Sequence, residues 1–470
     1  MNRTRRIAAN LVYLFLGEGA SVALAFVTTI WLARHLTDEG FGRLAFAQTI
    51  ILYLAILTDL GLAVFGTREI ARDRQQAPPV ASNILALRSS IAVVLFLLLG
   101  ISVAFLDLSW EMKVLLWGCS LTLLTQAWNP EFIFQGLERM AGIATWRILI
   151  QLLYLIPVVV FVQTRQNLVQ APFFRFGAEF VAVIITAVLV WRMVGGLKLR
   201  LLDVQVWSRY VRESVVIALS VLVIRVYYSF DTFMLGVLDR PETVGWYNAA
   251  FKIVQLLIAM AGIVQASFVP VISKEAAVKE RLDAVISRFG LVLTFVGTLA
   301  AGTIMMLNRF IVTTLYGEAY VNAGAPLLIL SLSTLVNYMA TAFTAALIFG
   351  GRQKEYLKLV VISAGVNLSL NAILIPWQSY IGAALANLAC NLALLLAGLP
   401  FYRRIGSVQK TLPPMLAMAA VGLTAVALIK YFIAGAIVGA VLFAVLFPLL
   451  MLVLHRQQVV DLYHSIRRAA

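Results

Sequence analysis

Cysteine, histidine and charge are all scarce in this 470-residue chain, with two cysteines, three histidines and only 13% Asp, Glu, Lys and Arg together. A soluble domain carries roughly 25% charged residues, so the shortage excludes an ordinary water-facing globule. Cys119 and Cys390 both fall inside apolar runs and read as small buried hydrophobes. His35, His455 and His464 lie far apart near segment ends, which gives no metal-ligand spacing, and neither metal nor cofactor is expected. No P-loop or other phosphate-cradling glycine loop is present, so the chain does not hydrolyse nucleotide by itself. No large loop carries acidic residues, as membrane-embedded glycosyltransferases and polymerases require. The chain is therefore not expected to be an enzyme.

What is abundant is apolar sequence. The chain is 62% hydrophobic with a mean hydropathy of +0.93. A core does not need that much, but a bilayer does. A span takes about 20 predominantly apolar residues, and that ruler gives fourteen runs: 10–33, 41–66, 81–106, 111–134, 142–163, 170–194, 211–238, 244–270, 287–313, 322–350, 354–376, 379–400, 411–433 and 435–455. The first run follows Arg3, Arg5 and Arg6 as a signal peptide would. It is too long for a signal core and no small-residue cleavage site follows, so a retained first span is expected.

The net charge of +15 would suggest a nucleic-acid partner on a soluble surface. Here the basic residues sit in short loops and report topology instead. With the N-terminus inside, cytoplasmic segments hold 25 of the 37 Lys and Arg residues and external segments hold 8. An odd number of spans would scramble that split. The expectation is an all-α polytopic protein with about fourteen transmembrane helices and both ends in the cytoplasm.

An internal echo divides the array. FGRLAFAQTI (41–50) and VGWYNAAFKI (244–253) open spans 2 and 8, aligning Gly42 with Gly245, Ala47 with Ala250 and Ile50 with Ile253. FIFQG (132–136) and ALIFG (346–350) close spans 4 and 10. Both place spans 1–6 over spans 7–12, a parallel repeat whose pseudo-two-fold axis runs along the membrane normal. The expected domains are residues 1–200 and 201–405, two six-helix bundles, and 406–470, two additional helices and a tail.

Several motifs occur in order along residues 10–400. They are WLARHLTDEGFGRLAFAQ with DLGL (59–62) and GTREIA (66–71), FQGLERM (134–140), DTFMLG (231–236), YGEAY (316–320) with APLLIL (325–330), and GVNLSLNAILIP (365–376) with IGAALAN (381–387). In this series the chain resembles the polysaccharide or O-antigen flippases (Wzx-like) of the multidrug/oligosaccharidyl-lipid/polysaccharide exporter superfamily. The resemblance implies a transporter that moves a lipid-linked oligosaccharide, on an undecaprenyl-diphosphate carrier, from the cytoplasmic to the outer leaflet by alternating access. It further implies the inner membrane of a prokaryote, lipids as surroundings, polymerase and glycosyltransferases as potential partners, and no nucleic acid. A cation-coupled multidrug exporter and a non-transporting scaffold of a glycan-assembly complex are the alternatives.

An ionisable residue inside a span costs roughly 2.5–3.5 kcal/mol on insertion scales and is a functional hypothesis by default. Arg225 sits deepest, roughly 21 Å along span 7 at 1.5 Å per residue, with Tyr228 and Thr232 on the same face. Its guanidinium suits a diphosphate, and a structural pair with Glu179 is the plainer alternative. Lys252 in span 8 lines the cavity or pairs with Asp231. Arg88 in span 3 contacts entering substrate or pairs with Asp59. Arg147 and Tyr228 are further candidates for contact with the substrate in the cavity, although Arg147 lies shallow enough to snorkel instead. Asp59, Asp231, Glu179 and Glu18 are candidate counter-charges or ion-coupling groups.

Overall fold

The computed structural model describes residues 3–194, 202–276, 278–433 and 435–454. The side chains of some helical residues, Arg225 and Tyr228 among them, lie outside that set. The described chain is helical, and nine of its helices are long and apolar enough to cross a membrane. Two of these nine hold two spans each. In α1 (Arg3–Asp59) the backbone breaks at Thr37, with φ 63°. In α12 (Gln353–Tyr402) it breaks at Ser379, with φ 53°, three residues after Pro376. Each is a non-glycine residue in the left-handed region, which turns one helix back beside the other. With α4 (Trp110–Gln126), α8 (Val204–Leu238) and α14 (Ala436–Leu454), the helices account for all fourteen expected runs. This is an all-α polytopic membrane protein.

Two boundaries differ from expectation. Span 2 ends at Asp59, because Leu60 and Gly61 both take positive φ and start the short α2 (Leu62–Arg72). The Asp59 carboxylate accepts the Ala63 N–H at 3.1 Å and fixes the new helix start. Span 4 stops at Gln126, because a residue before proline avoids the helical region. Pro130 thus separates α4 from α5 (Glu131–Gly136), and the Asn129 side chain accepts the Glu131 N–H at 2.9 Å.

The chain divides by packing into two compact units, Met1–Gly245 and Trp246–Ala470. In the first, α1 packs on α3 (Ala77–Phe105), α4, α6 (Met140–Phe161) and α8, while α7 (Gln170–Val194) packs on α4 and α6. Segments that the alternation assigns to one side of the membrane meet there. At one end Glu111 binds Arg43 and Arg165, and Arg43 also binds Glu39. At the other Arg74 pairs with Glu138 at 3.0 Å, and Asn83 accepts the Asp203 N–H at 2.8 Å. A cluster of Phe65, Ile84, Phe132 and Tyr210 closes that second end.

The aligned glycines of the repeat touch each other. A Cβ on Gly42 would stand 1.8 Å from the Pro241 carbonyl oxygen and 2.8 Å from the Gly245 nitrogen. One on Gly245 would stand 2.1 Å from the Asp38 carbonyl oxygen. The first turn of α9 (Pro241–Glu275) thus lies backbone to backbone on α1 just after its break. Gly42→Ala is expected to lower thermal stability in detergent by at least the 1–3 kcal/mol typical of overpacking, since the clash is with backbone rather than a flexible side chain. Gly177→Ala, whose Cβ meets nothing within 4 Å, is the control that should stay at or above wild type.

In the second unit α10 (Lys279–Tyr316) packs on α11 (Gly324–Phe349), α13 (Val408–Phe432) and α14, and α11 packs on α12. Phe289, Phe343, Met415, Phe443 and Phe447 share one core. The last two helices, for which the sequence offers no motif, therefore complete the core of this unit. Asp283, buried at 6% exposure, accepts the Tyr402 hydroxyl at 2.8 Å and the Ser407 N–H at 2.6 Å, tying α10 to the α12–α13 connection. Asp283→Ala leaves both donors buried, and should cost about 1–3 kcal/mol in unfolding measurements.

Large aromatics left exposed sit at helix ends. Phe105, Trp110, Trp377, Tyr431 and Phe432 are all at least 75% exposed. Each falls at an end that the alternation places outside, as interfacial aromatics do.

Candidate functional site

Polar residues recur at helical spacing on the facing sides of four helices of the first unit. On α4 they are Thr122, Thr125 and Gln126, with Asn129 just beyond its end; on α6 they are Arg147, Gln151 and Tyr154; on α7 they are Arg175 and Glu179. Steps of three and four keep each set on one face. Together with Ser21 and Gln48 of α1 they line two adjoining cavities of about 210 and 250 Å³, which share Gln126, Arg175 and Glu179.

The charges in these walls are paired. Arg147 grips Glu131 with two parallel bonds of 2.8 Å, from Nε and Nη2, and reaches Glu18 with Nη1. The Asn129–Pro130 break makes this possible, because it turns Glu131 away from the axis of α4. Arg175 donates from Nε to Glu179 at 2.8 Å and from Nη1 to Gln151 at 3.4 Å, and lies over the Tyr154 ring. Glu179, at 4% exposure, also accepts the Thr125 hydroxyl at 2.6 Å. Burying ions is tolerable when partners and hydrogen bonds are complete. These residues come close to that condition.

A third pair lies nearer the predicted cytoplasmic end. Arg88, at 5% exposure, bonds Asp59, approaches the Asn129 carbonyl at 3.4 Å and lies over the Phe132 ring. The plainer of the two expectations for Arg88 and Asp59 is the one the structure contains.

Other candidates stand elsewhere. Glu179 pairs with Arg175, one turn away on the same helix, and the pair expected with Arg225 falls on a side chain outside the described residues. Arg147 does not snorkel to an interface; it is held between Glu131 and Glu18. The side chains of Arg225 and Tyr228 lie outside the described residues. Asp231 is buried at 1% exposure. Lys252, half-buried in α9 of the second unit, makes no hydrogen bond or ion pair among the described residues. Among the described residues no group of His, Cys, Asp or Glu could hold a metal ion.

Sequence reading missed Arg175 and Glu131. Arg175 stands close to the start of the sixth run, where a charge draws little attention, and Glu131 falls where span 4 was expected to continue. The signals were present: Arg175 and Glu179 are four apart, and Asn129–Pro130 is a helix breaker.

The second unit has a different polar interior, uncharged and built of amides. Asn337 donates to Asn391 at 2.7 Å, Asn391 donates to Ser333 at 2.8 Å, and Ser333 donates to Asn387 at 2.7 Å, joining α11 to α12.

The profile of the family described as "Polysaccharide biosynthesis protein" matches residues 7–276. A protein of Escherichia coli (strain K12) named "Putative O-antigen transporter" is 25% identical over 389 residues, covering 81% of this chain and 92% of its own. One of the same name from Shigella dysenteriae is 24% identical over 250 residues, covering 52% of this chain and 62% of its own. Among solved structures, the lipid II flippase MurJ in an inward closed conformation aligns with a TM-score of 0.77 at 12% identity, over 95% of this chain and all of that one. An inward-facing multidrug resistance MATE transporter aligns with a TM-score of 0.64 at 15% identity, over 82% of this chain and 95% of that one.

Proposed function

We propose that this chain, which belongs to the polysaccharide biosynthesis protein family, flips an undecaprenyl-diphosphate-linked oligosaccharide from the cytoplasmic to the outer leaflet by alternating access, for cell-surface polysaccharide synthesis. The relatives named for O-antigen transport support the substrate class. No bond is made or broken in such a step. What the protein supplies is a polar, charge-matched path for the headgroup while the polyprenyl tail stays in lipid. The membrane would be the inner membrane of a prokaryote, beside the glycosyltransferases that build the glycan and the polymerase that extends it.

The observation that carries this reading is Lys252. Among the described residues it is a half-buried cation on an apolar helix with neither ion pair nor hydrogen bond. A charge left unmatched in a membrane span is expensive, and its retention is explained if an anionic headgroup is the partner. A diphosphate offers several acceptor oxygens to an ammonium group. By their place in the sequence, Arg225 and Tyr228 are the further substrate contacts of this reading. Arg88 and Arg147 already hold carboxylates, and we assign them to shaping the first unit rather than to binding phosphate.

Reconstitution tests the proposal. Purified protein in liposomes carrying a fluorescent lipid-linked glycan should expose the glycan to an impermeant quencher or glycosidase faster than empty liposomes do. Equal rates would overturn the reading and leave a scaffold role.

A further inference from the structure

The paired cavities of the first unit are too well matched in charge to attract phosphate, and their uncharged walls are short of partners. Arg147 and Arg175 face three carboxylates, Glu18, Glu131 and Glu179. Glu18 stands outside the lining of both cavities, whose own charges balance at two of each sign and are locked in pairs, so the site offers an anion no free positive charge. The Gln126 and Gln48 side-chain amides, by contrast, make no hydrogen bond among the described residues. The buried Tyr154 hydroxyl has no partner either. Trp146, at 4% exposure, gives an apolar wall beside them.

We infer that this pair of cavities is a sugar subsite, and that it takes a neutral, N-acetylated or amino hexose and rejects a uronic acid. The inference rests on the flippase reading and adds to it where the first sugars of the glycan sit. Planar amides and a phenol hydroxyl, each able to donate and accept, match the vicinal hydroxyls of a pyranose. The guanidinium and carboxylate groups, locked to each other, present fixed edges rather than free charge. Each cavity alone, at about 210 and 250 Å³, is below the usual range of small-molecule clefts, roughly 300–1,000 Å³; the two joined reach its lower part. The diphosphate is left to Lys252 and Arg225, so charge and sugar are recognised by different residues.

The test uses full-length protein in nanodiscs and saturation-transfer difference NMR with the methyl glycosides of N-acetylglucosamine, glucose and glucuronic acid. The two neutral sugars should give transfer signals that pyrophosphate does not displace, and glucuronate should be about tenfold weaker. Gln126→Leu should weaken the neutral-sugar signals about five- to tenfold, the effect of losing one or two hydrogen bonds. Gln151→Leu serves the same purpose if the first variant does not fold. No transfer to any sugar, glucuronate equal to glucose, displacement by pyrophosphate, or signals unchanged in the folded variant would each overturn the inference. The liposome assay separates the two readings. Wild-type protein that binds sugars but does not flip the lipid-linked glycan sinks the flippase and leaves the subsite. A Gln126→Leu variant with wild-type flipping and wild-type dependence on glycan-lipid concentration sinks the subsite and leaves the flippase.

Discussion

Replacing Lys252 with methionine is expected to cut export of the surface glycan by about one to two orders of magnitude while leaving the protein at least as stable as wild type. The two effects share one cause. A charge inside a span costs roughly 2.5–3.5 kcal/mol on insertion scales, and Lys252 has no partner among the described residues to offset it. Methionine keeps the length and apolar character of the stem, so thermal unfolding in detergent should not fall. A hydrogen bond from a charged donor is worth about 1.5–3 kcal/mol, and losing it where the headgroup passes lowers the transport rate by about one to two orders of magnitude. Lys252→Arg keeps the charge and should retain part of the activity. Surface glycan staining in a complemented deletion strain, read beside the melting temperature of each purified variant, checks the split. Normal export from Lys252→Met removes the residue from the path; lost export with lost stability makes it structural.

Arg88 and Asp59 should behave in the opposite way. Arg88 is buried at 5% exposure, Asp59 is half-buried, and the same Asp59 carboxylate fixes the start of α2. Removing either partner leaves the other charge uncompensated, at a cost of about 3–5 kcal/mol. Arg88→Met and Asp59→Leu are each expected to destabilise the protein by that order and to lose export through low abundance. The double variant should recover most of the loss, because an apolar pair replaces an ion pair at little cost, less the helix-start bond that Asp59 supplied. Unfolding of both single variants and the double gives the coupling directly. Additive losses would mean that the two side chains do not act as a pair.

How much of this was legible beforehand differs by feature. The fourteen runs and their alternation followed from hydropathy, because a bilayer imposes a length on every apolar segment. The echo aligning Gly42 with Gly245 also had physical content, since those glycines meet at the closest backbone approach in their neighbourhood. The charged interior was harder to see. Depth along a span says how costly a charge is, but not which neighbour answers it. By depth Arg175 and Arg147 both lie near the ends of their spans and look able to reach an interface, yet both close on carboxylates. The end of α4 decided the second case. A continuous helix would have carried Glu131 past Arg147, whereas the break at Asn129–Pro130 turned it back.

Composition, span length and motif order are local properties, so they were enough to establish that the chain is all-helical, crosses the membrane repeatedly and resembles the polysaccharide flippases. Which charges are spent follows from how the helices pack. Arg88, Arg147 and Arg175 are neutralised within the first unit, whereas Lys252 has no such partner among the described residues. Packing also decided that the last two helices are core rather than appendage, since their side chains interlock with α10. Pairing and packing depend on which helix faces join, and no single stretch of sequence contains that.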